Sequence, residues 1–339
     1  MIRNLNWLTL LIASLMIFSV SCDSTEKKAT PSPKGDTNWQ YFGLSSPGNV
    51  PKVFSPEIVS TQRNERDFAI SPDGNVMFYS IVMPANNLSV IVYLAFDGFF
   101  WSEPETANFS GAYKDLEPAF APDGKKLFFV SKRPLAGSTE KKDYDIWFVE
   151  PEKGWTNPVN IGLPVNTDEN EYYPSVSANG NLYFTANYGD SFGKEDICFS
   201  RFENGKYTQP QNLGEVINTS FYEFNAFIAP DESYLIFSSW GRDDDIGGGD
   251  LYISFKDSMN EWTKPKNLGS AINSDKLDYC PYVSPDGKYL FFTSERENAD
   301  FDSKSFKKLS NILQMADGIE NGLGNIYWVS FDKEAWKKL

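Results

Sequence analysis

The sequence predicts an all-β fold, a single β-propeller of four-stranded antiparallel blades, on three observations. One turn recurs five times at blade-length intervals, short strand-like runs flank each copy, and a spare strand near the N-terminus can complete the last copy. Five blades are expected. A sixth would require residues 38–60 and the insert near 300–320 to contribute more strands.

The turn reads Ser71-Pro72-Asp73-Gly74, Ala121-Pro122-Asp123-Gly124, Ser177-Ala178-Asn179-Gly180, Ala229-Pro230-Asp231-Glu232 and Ser284-Pro285-Asp286-Gly287, with second positions 50, 56, 52 and 55 residues apart. Proline presets φ at the first corner, Asp or Asn accepts the second, and glycine tolerates the positive φ of the exit. Apolar runs such as Phe68-Ala69-Ile70 before and Val76-Met77-Phe78-Tyr79 after the turn read as the first and second strands. The third strand is Val90–Tyr93, then Asp145–Phe148, Asp196–Phe199, Asp250–Ile253 and Asn325–Trp328. The fourth carries a spaced aromatic and proline: Trp101 with Pro104, Trp155 with Pro158, Tyr207 with Pro210, Trp262 with Pro265. Proline removes a ladder donor, so these runs belong on the outer edge of a blade. The last repeat lacks a fourth strand after Phe331, while Phe54–Ile58 precedes the first repeat unpaired. An N-terminal strand is therefore expected to close the ring and remove its open edges.

The Pro-Asp-Gly turn joined to a later Asp-hydrophobic-Tyr strand resembles the WD-like β-propeller repeats of the TolB type, over residues 52–331. The resemblance implies a propeller and an envelope setting. It implies no single activity, because propellers host binding, scaffolding and catalysis alike. The third turn lacks the proline and the fourth lacks the glycine.

Residues 1–21 have one basic residue, Arg3, then an apolar run from Trp7 to Phe18, too short for a comfortable membrane span. The run ends in Ser19-Val20-Ser21-Cys22 and resembles a bacterial lipoprotein signal, with Ser19 where leucine is usual. That resemblance implies lipid on Cys22 and attachment to the outer membrane, on its periplasmic or surface side. Residues 22–50 are expected to be a tether, 51–332 the propeller and 333–339 a tail. The later cysteines, Cys198 and Cys280, are expected to be small buried apolar residues rather than a disulfide.

Composition narrows the chemistry. Lys plus Arg is 31 against 46 Asp plus Glu, a net −15, which argues against a nucleic-acid partner. Histidine is absent, which removes Ser-His-Asp engines and His-ligated metals.

Second-to-third connections are the long ones, near 81–88, 131–144, 186–195, 239–249 and 295–324, and their face is expected to bind. Phe306, Leu309 and Ile312 suggest a short helix over Ser305–Met315 in the last of them. Seven residues before the second position of every turn stands an acid: Glu65, Asp115, Glu171, Glu223 and Asp278. Arg133, Arg242 and Arg296 lie close to the same rim. Two readings follow. The acids form a channel mouth that holds Ca²⁺ or a basic partner, or they fasten neighbouring blades. Asp243-Asp244-Asp245 and Gly247-Gly248-Gly249 fit neither an EF-hand nor a phosphate loop and read as a solvated loop. The function expected is non-catalytic binding of a protein or cell-envelope polysaccharide. The alternative is a carbohydrate-active enzyme using paired carboxylates.

Overall fold

A computed structural model describes residues 41–138, 141, 143–298 and 308–338. The chain divides into residues 1–31 and residues 32–339. The signal, Cys22 and the tether as far as residue 40 lie outside the described residues, as do Ser305 and Phe306 of the expected helix.

The second unit is a five-bladed propeller. Strand β1 (Lys52–Val53) comes first. Blade 1 holds β2 (Asn64–Ile70), β3 (Val76–Met83), β4 (Leu88–Ala95) and β5 (Glu105–Thr106). Blade 2 holds β6 (Asp115–Phe120), β7 (Leu127–Ser131), β8 (Asp145–Glu150) and β9 (Thr156–Asn160). Blade 3 holds β10 (Glu171–Val176), β11 (Leu182–Ala186) and β12 (Asp196–Ser200), then a hairpin of β13 (Phe202–Glu203) and β14 (Lys206–Tyr207) before its edge, β15 (Gln211–Asn212). Blade 4 holds β16 (Tyr222–Ile228), β17 (Tyr234–Trp240), β18 (Asp250–Phe255) and β19 (Lys266–Asn267). Blade 5 holds β20 (Asp278–Val283), β21 (Tyr289–Ser294), α1 (Leu309–Ala316) and β22 (Asn325–Ser330), and α2 (Lys333–Lys338) follows.

The edge strands are shorter than the sequence suggested. In blades 1, 3 and 4 the edge strand is only the two residues after the proline, which cannot donate to the ladder, with Trp101 and Trp262 adding an isolated bridge before it.

An N-terminal strand closes the ring as expected, but it is β1, Lys52–Val53, while the expected run Phe54–Ile58 follows it as bends and a turn. Lys52 pairs with Trp328 and Val53 with Tyr327, and the Phe54 N–H donates to the Ile326 carbonyl at 2.8 Å. Phe54 is 0% exposed and its ring lies 5.0–5.3 Å from those of Phe68, Phe291 and Trp328.

Each blade buries its faces against the next. The five main apolar clusters lie between consecutive blades, one per junction. Two boundaries move outward for this reason. Tyr41 is buried in the cluster between blades 5 and 1, so the packed fold starts before residue 51. At the other end Trp336 of α2 packs on the cluster between blades 4 and 5, so the charged tail is a docked helix.

The turns close as their composition demands. In all five, the fourth residue's N–H donates to the first carbonyl at 2.8–2.9 Å. Ala178, lacking proline's ring, keeps an N–H that donates 2.8 Å to the Pro230 carbonyl of the next turn. Glu232 stands where glycine is usual and takes φ 57°, its carboxylate held by Asn181 and Lys256. Two of the three consecutive aspartates are held as well: the Tyr252 hydroxyl lies 2.7 Å from Asp245 and 3.0 Å from Asp244, while Asp243 is exposed. No helix among the described residues is long and apolar enough to cross a membrane.

Candidate functional site

The five repeated acids stand at the first or second residue of each innermost strand, as their spacing implied. They do not line an open mouth. Glu65, Asp115, Glu171, Glu223 and Asp278 are all 0–1% exposed. A buried carboxylate needs donors, and each finds them in the connection that arrives from the preceding blade. Thr61, Thr167, Thr219 and Ser274 each donate both a backbone N–H and a hydroxyl to the acid four residues on. Asp115 instead accepts from the Ser110 hydroxyl at 2.9 Å.

The three arginines complete this arrangement. Arg133 meets Asp115 at 2.7 Å, Arg242 meets Glu223 at 3.0 Å, and Arg296 meets Asp278 at 2.7 Å. Each also donates to a serine hydroxyl of its own strand and to a carbonyl of the incoming connection. The guanidinium planes lie 4.6–4.8 Å from ring centroids at Phe129 and Tyr327 in blades 2 and 5. In blade 3 the Tyr188 hydroxyl takes the arginine's place, 3.2 Å from Glu171. Burial pushes the Glu171 carboxyl up to about 7, although the Thr167 donors pull it down.

A second fastener lies beside the first. Asn166, Asn218 and Asn273 each bond both the N–H and the carbonyl of one third-strand residue, Ile146, Ile197 or Leu251. Ser60 does the same for Ile326 in blade 5. The signal was present as Asn-(Ile or Leu)-Gly, three residues, Asn at 160–166, 212–218 and 267–273, and reading for turns alone passes over it.

This geometry favours fasteners over a cation-holding mouth. Among the described residues no group of three or more acid or cysteine side chains is placed to hold a metal ion. Glu171→Gln and Glu223→Gln, which replace an acceptor oxygen by a donor, are expected to cost about 1–3 kcal/mol each. Thermal melts with and without calcium check this. A loss that calcium leaves unchanged fits fasteners; intact melting with lost calcium stabilisation fits a mouth.

The axis holds a different set of residues, two positions beyond each acid. Asp67, Glu117, Tyr173, Asn225 and Cys280 all take positive φ, between 48° and 62°, at a bulge in each innermost strand. A left-handed conformation costs a non-glycine residue roughly 1–2 kcal/mol. The bulges bring these five side chains together across the ring. Arg66 Nε donates to Asp67 at 2.7 Å, and its terminal nitrogen to Glu117 at 2.9 Å. Glu117 also accepts from the Tyr173 N–H at 2.6 Å and faces the Asn225 amide at 3.4 Å. The Cys280 thiol donates to Asp67 at 2.8 Å, so this cysteine is a polar member of the axis rather than apolar filling. Cys198 is buried among apolar side chains, as expected. Burial pushes the Cys280 thiol well above its usual range and the Glu117 carboxyl up to about 8, against the pull of Arg66.

This network floors a cavity that opens on the face of the short turns. The cavity is about 800 Å³, with Phe68, Phe120, Phe227, Tyr234 and Tyr282 in its walls and Glu117 and Tyr173 at its base. Its rim carries exposed Asp231, Asp286, Asp332 and Glu334, with Lys333 set 3.8 Å from Asp231. Loop length pointed to the opposite face. Pro118, Pro174 and Pro281, each following the bulged residue in blades 2, 3 and 5, are among the residues that line the cavity.

No protein-family model matches the sequence, and no curated protein does. Among solved structures, a TolB protein of Agrobacterium tumefaciens aligns at 14% identity over 80% of this chain and 91% of its own, with a TM-score of 0.46. An alpha-L-arabinofuranosidase of Lactobacillus brevis aligns at 12% identity, covering 81% and 92%, with a TM-score of 0.47. An oligogalacturonate lyase of Vibrio parahaemolyticus aligns at 11% over 70% of this chain and 60% of that one, at 0.40. These scores assign no activity. The propeller is read from the chain's own strand pairing.

Proposed function

We propose that this protein is a non-catalytic binding propeller of the bacterial cell envelope, anchored by lipid on Cys22, that receives a segment of a protein or envelope polymer in the turn-face funnel. The observation that carries this reading is the funnel: apolar walls, a carboxylate rim and a polar floor whose charged members are already partnered. A rim on which four carboxylates outnumber one lysine, on a chain of net −15, favours a cationic segment and speeds its encounter. The carboxylate-enzyme alternative has one observation in its favour, a Glu117 raised into the range useful for proton transfer. Against it, both Glu117 oxygens are engaged by Arg66, Asn225 and Tyr173.

The test uses the full chain and a fluorescent hexapeptide alternating lysine and phenylalanine, with a glutamate–phenylalanine peptide as control. Ala119→Trp, which fills the funnel from a half-exposed wall position, is expected to weaken the cationic probe at least tenfold. Equal binding of both peptides, or binding unchanged by Ala119→Trp, would remove the funnel from the account. For the anchor, Cys22→Ser is expected to move the folded protein from the membrane to the soluble fraction. Continued sedimentation with membranes would contradict lipid attachment.

A further inference from the structure

Blade 4 departs from its sister blades at three neighbouring positions on the face opposite the funnel. The two residues before its acid are Phe221 and Tyr222, and the residue opposite Tyr222 is Trp240. The same two positions hold Arg63 and Asn64, Tyr113 and Lys114, Glu169 and Asn170, and Lys276 and Leu277 in the other blades, so blade 4 alone has an aromatic at both. A feature shared by all repeats serves the ring; a feature confined to one blade, with its side chains outside, has no such explanation.

Two of the rings pack on each other, and Phe221 is held beside them through Gly241, the neighbour of Trp240. Tyr222 and Trp240 lie 5.2 Å apart, tilted by 31°. Phe221 rests on glycine: a Cβ at Gly241 would come within 2.6 Å of its ring, and one at Gly193 within 2.3 Å of its carbonyl oxygen. The surface is thus held in place by two positions that admit no side chain. Phe192, next to Gly193, is 51% exposed, Phe221 49% and Trp240 50%. Exposed Asp190 and Asp243 flank them in the same loops.

We propose that this aromatic platform is a second binding site, separate from the funnel, that takes a neutral polysaccharide. A large aromatic buries roughly 150–250 Å², so these half-exposed rings offer on the order of 400 Å², about half of one side of a standard protein interface. That area matches two or three sugar rings. Aromatic faces meet the C–H faces of pyranoses, and the flanking carboxylates accept from their hydroxyls. The acidic chain disfavours an anionic polymer or an anionic lipid surface at the same place.

The experiment is affinity electrophoresis of the full chain in soluble glucan, mannan and xylan, with tryptophan fluorescence as a second readout. At least one glycan is expected to retard the protein. Trp240→Ala and Phe221→Ala should each weaken that retardation tenfold or more, with melting temperature unchanged and the lysine–phenylalanine probe still bound. Ala119→Trp should leave glycan binding intact, so that failure of the funnel and failure of the platform are read separately. Retardation by none of the three glycans, or retardation that survives both substitutions, overturns the proposal. So does binding to phosphatidylglycerol vesicles in place of any glycan.

Discussion

Phe54→Ala is expected to destabilise the propeller by about 3–5 kcal/mol, the loss typical of a fully buried aromatic cut to a methyl group. For a chain of this size that corresponds to a fall of roughly 5–8 °C in melting temperature. The residue sits where the ring closes, among Phe68, Phe291, Trp328 and Tyr41, and its N–H joins the last blade's ladder. Deleting residues 52–59 should do more, because it exposes the edge of β22 and opens the junction between blades 5 and 1. Deleting residues 23–37 should cost little. Calorimetric melts of the three variants compare these effects directly. Equal melting temperatures for the two deletions would refute closure by β1.

Arg66→Met is expected to have a comparable effect for a different reason. Among the described residues Arg66 is the one basic side chain bonded to both Asp67 and Glu117, and removing it leaves two carboxylates buried together. Breaking a buried ion pair from one side costs about 3–5 kcal/mol. The sign of the pH dependence follows from Glu117. Its carboxyl titrates near 8 in the fold against 4.5 as an ordinary carboxyl, so the folded state binds the extra proton. The stability this contributes is fully present below about pH 4.5 and is lost as pH rises through 8. Glu171, near 7, acts in the same direction over a narrower window. In the variant the repulsion is relieved wherever Glu117 can take up a proton. The destabilisation by Arg66→Met should therefore be larger at pH 8.5 than at pH 5.5, and adding Glu117→Gln should recover part of it. A loss independent of pH would show that the axis is held by packing instead.

What the sequence made legible was what repeats. Five copies of the turn point to five blades, the unpaired run before Asn64 implies closure, and an acid at constant offset implies a common job. The arginines could be placed at the same rim because they follow second strands. The axial set was hidden because its five members are five different residue types, Asp, Glu, Tyr, Asn and Cys, joined only by a shared bulge. Cys280 read as apolar because a lone cysteine usually is. The funnel was hidden too: its walls come one or two residues at a time from separate blades, and short turns gave no hint of a cavity beneath them. The platform needed the fold before Gly193 could be set beside Phe221.

Hydrogen–deuterium exchange of the full chain, with and without the lysine–phenylalanine hexapeptide, tests most directly which face receives the partner. Slower exchange is expected at the turn amides of Gly124, Glu232 and Gly287 and around Asp332, with the long connections near 186–195 and 239–249 unchanged. Protection confined to those long connections, with the turns unaffected, would contradict the assignment of the funnel as the binding site.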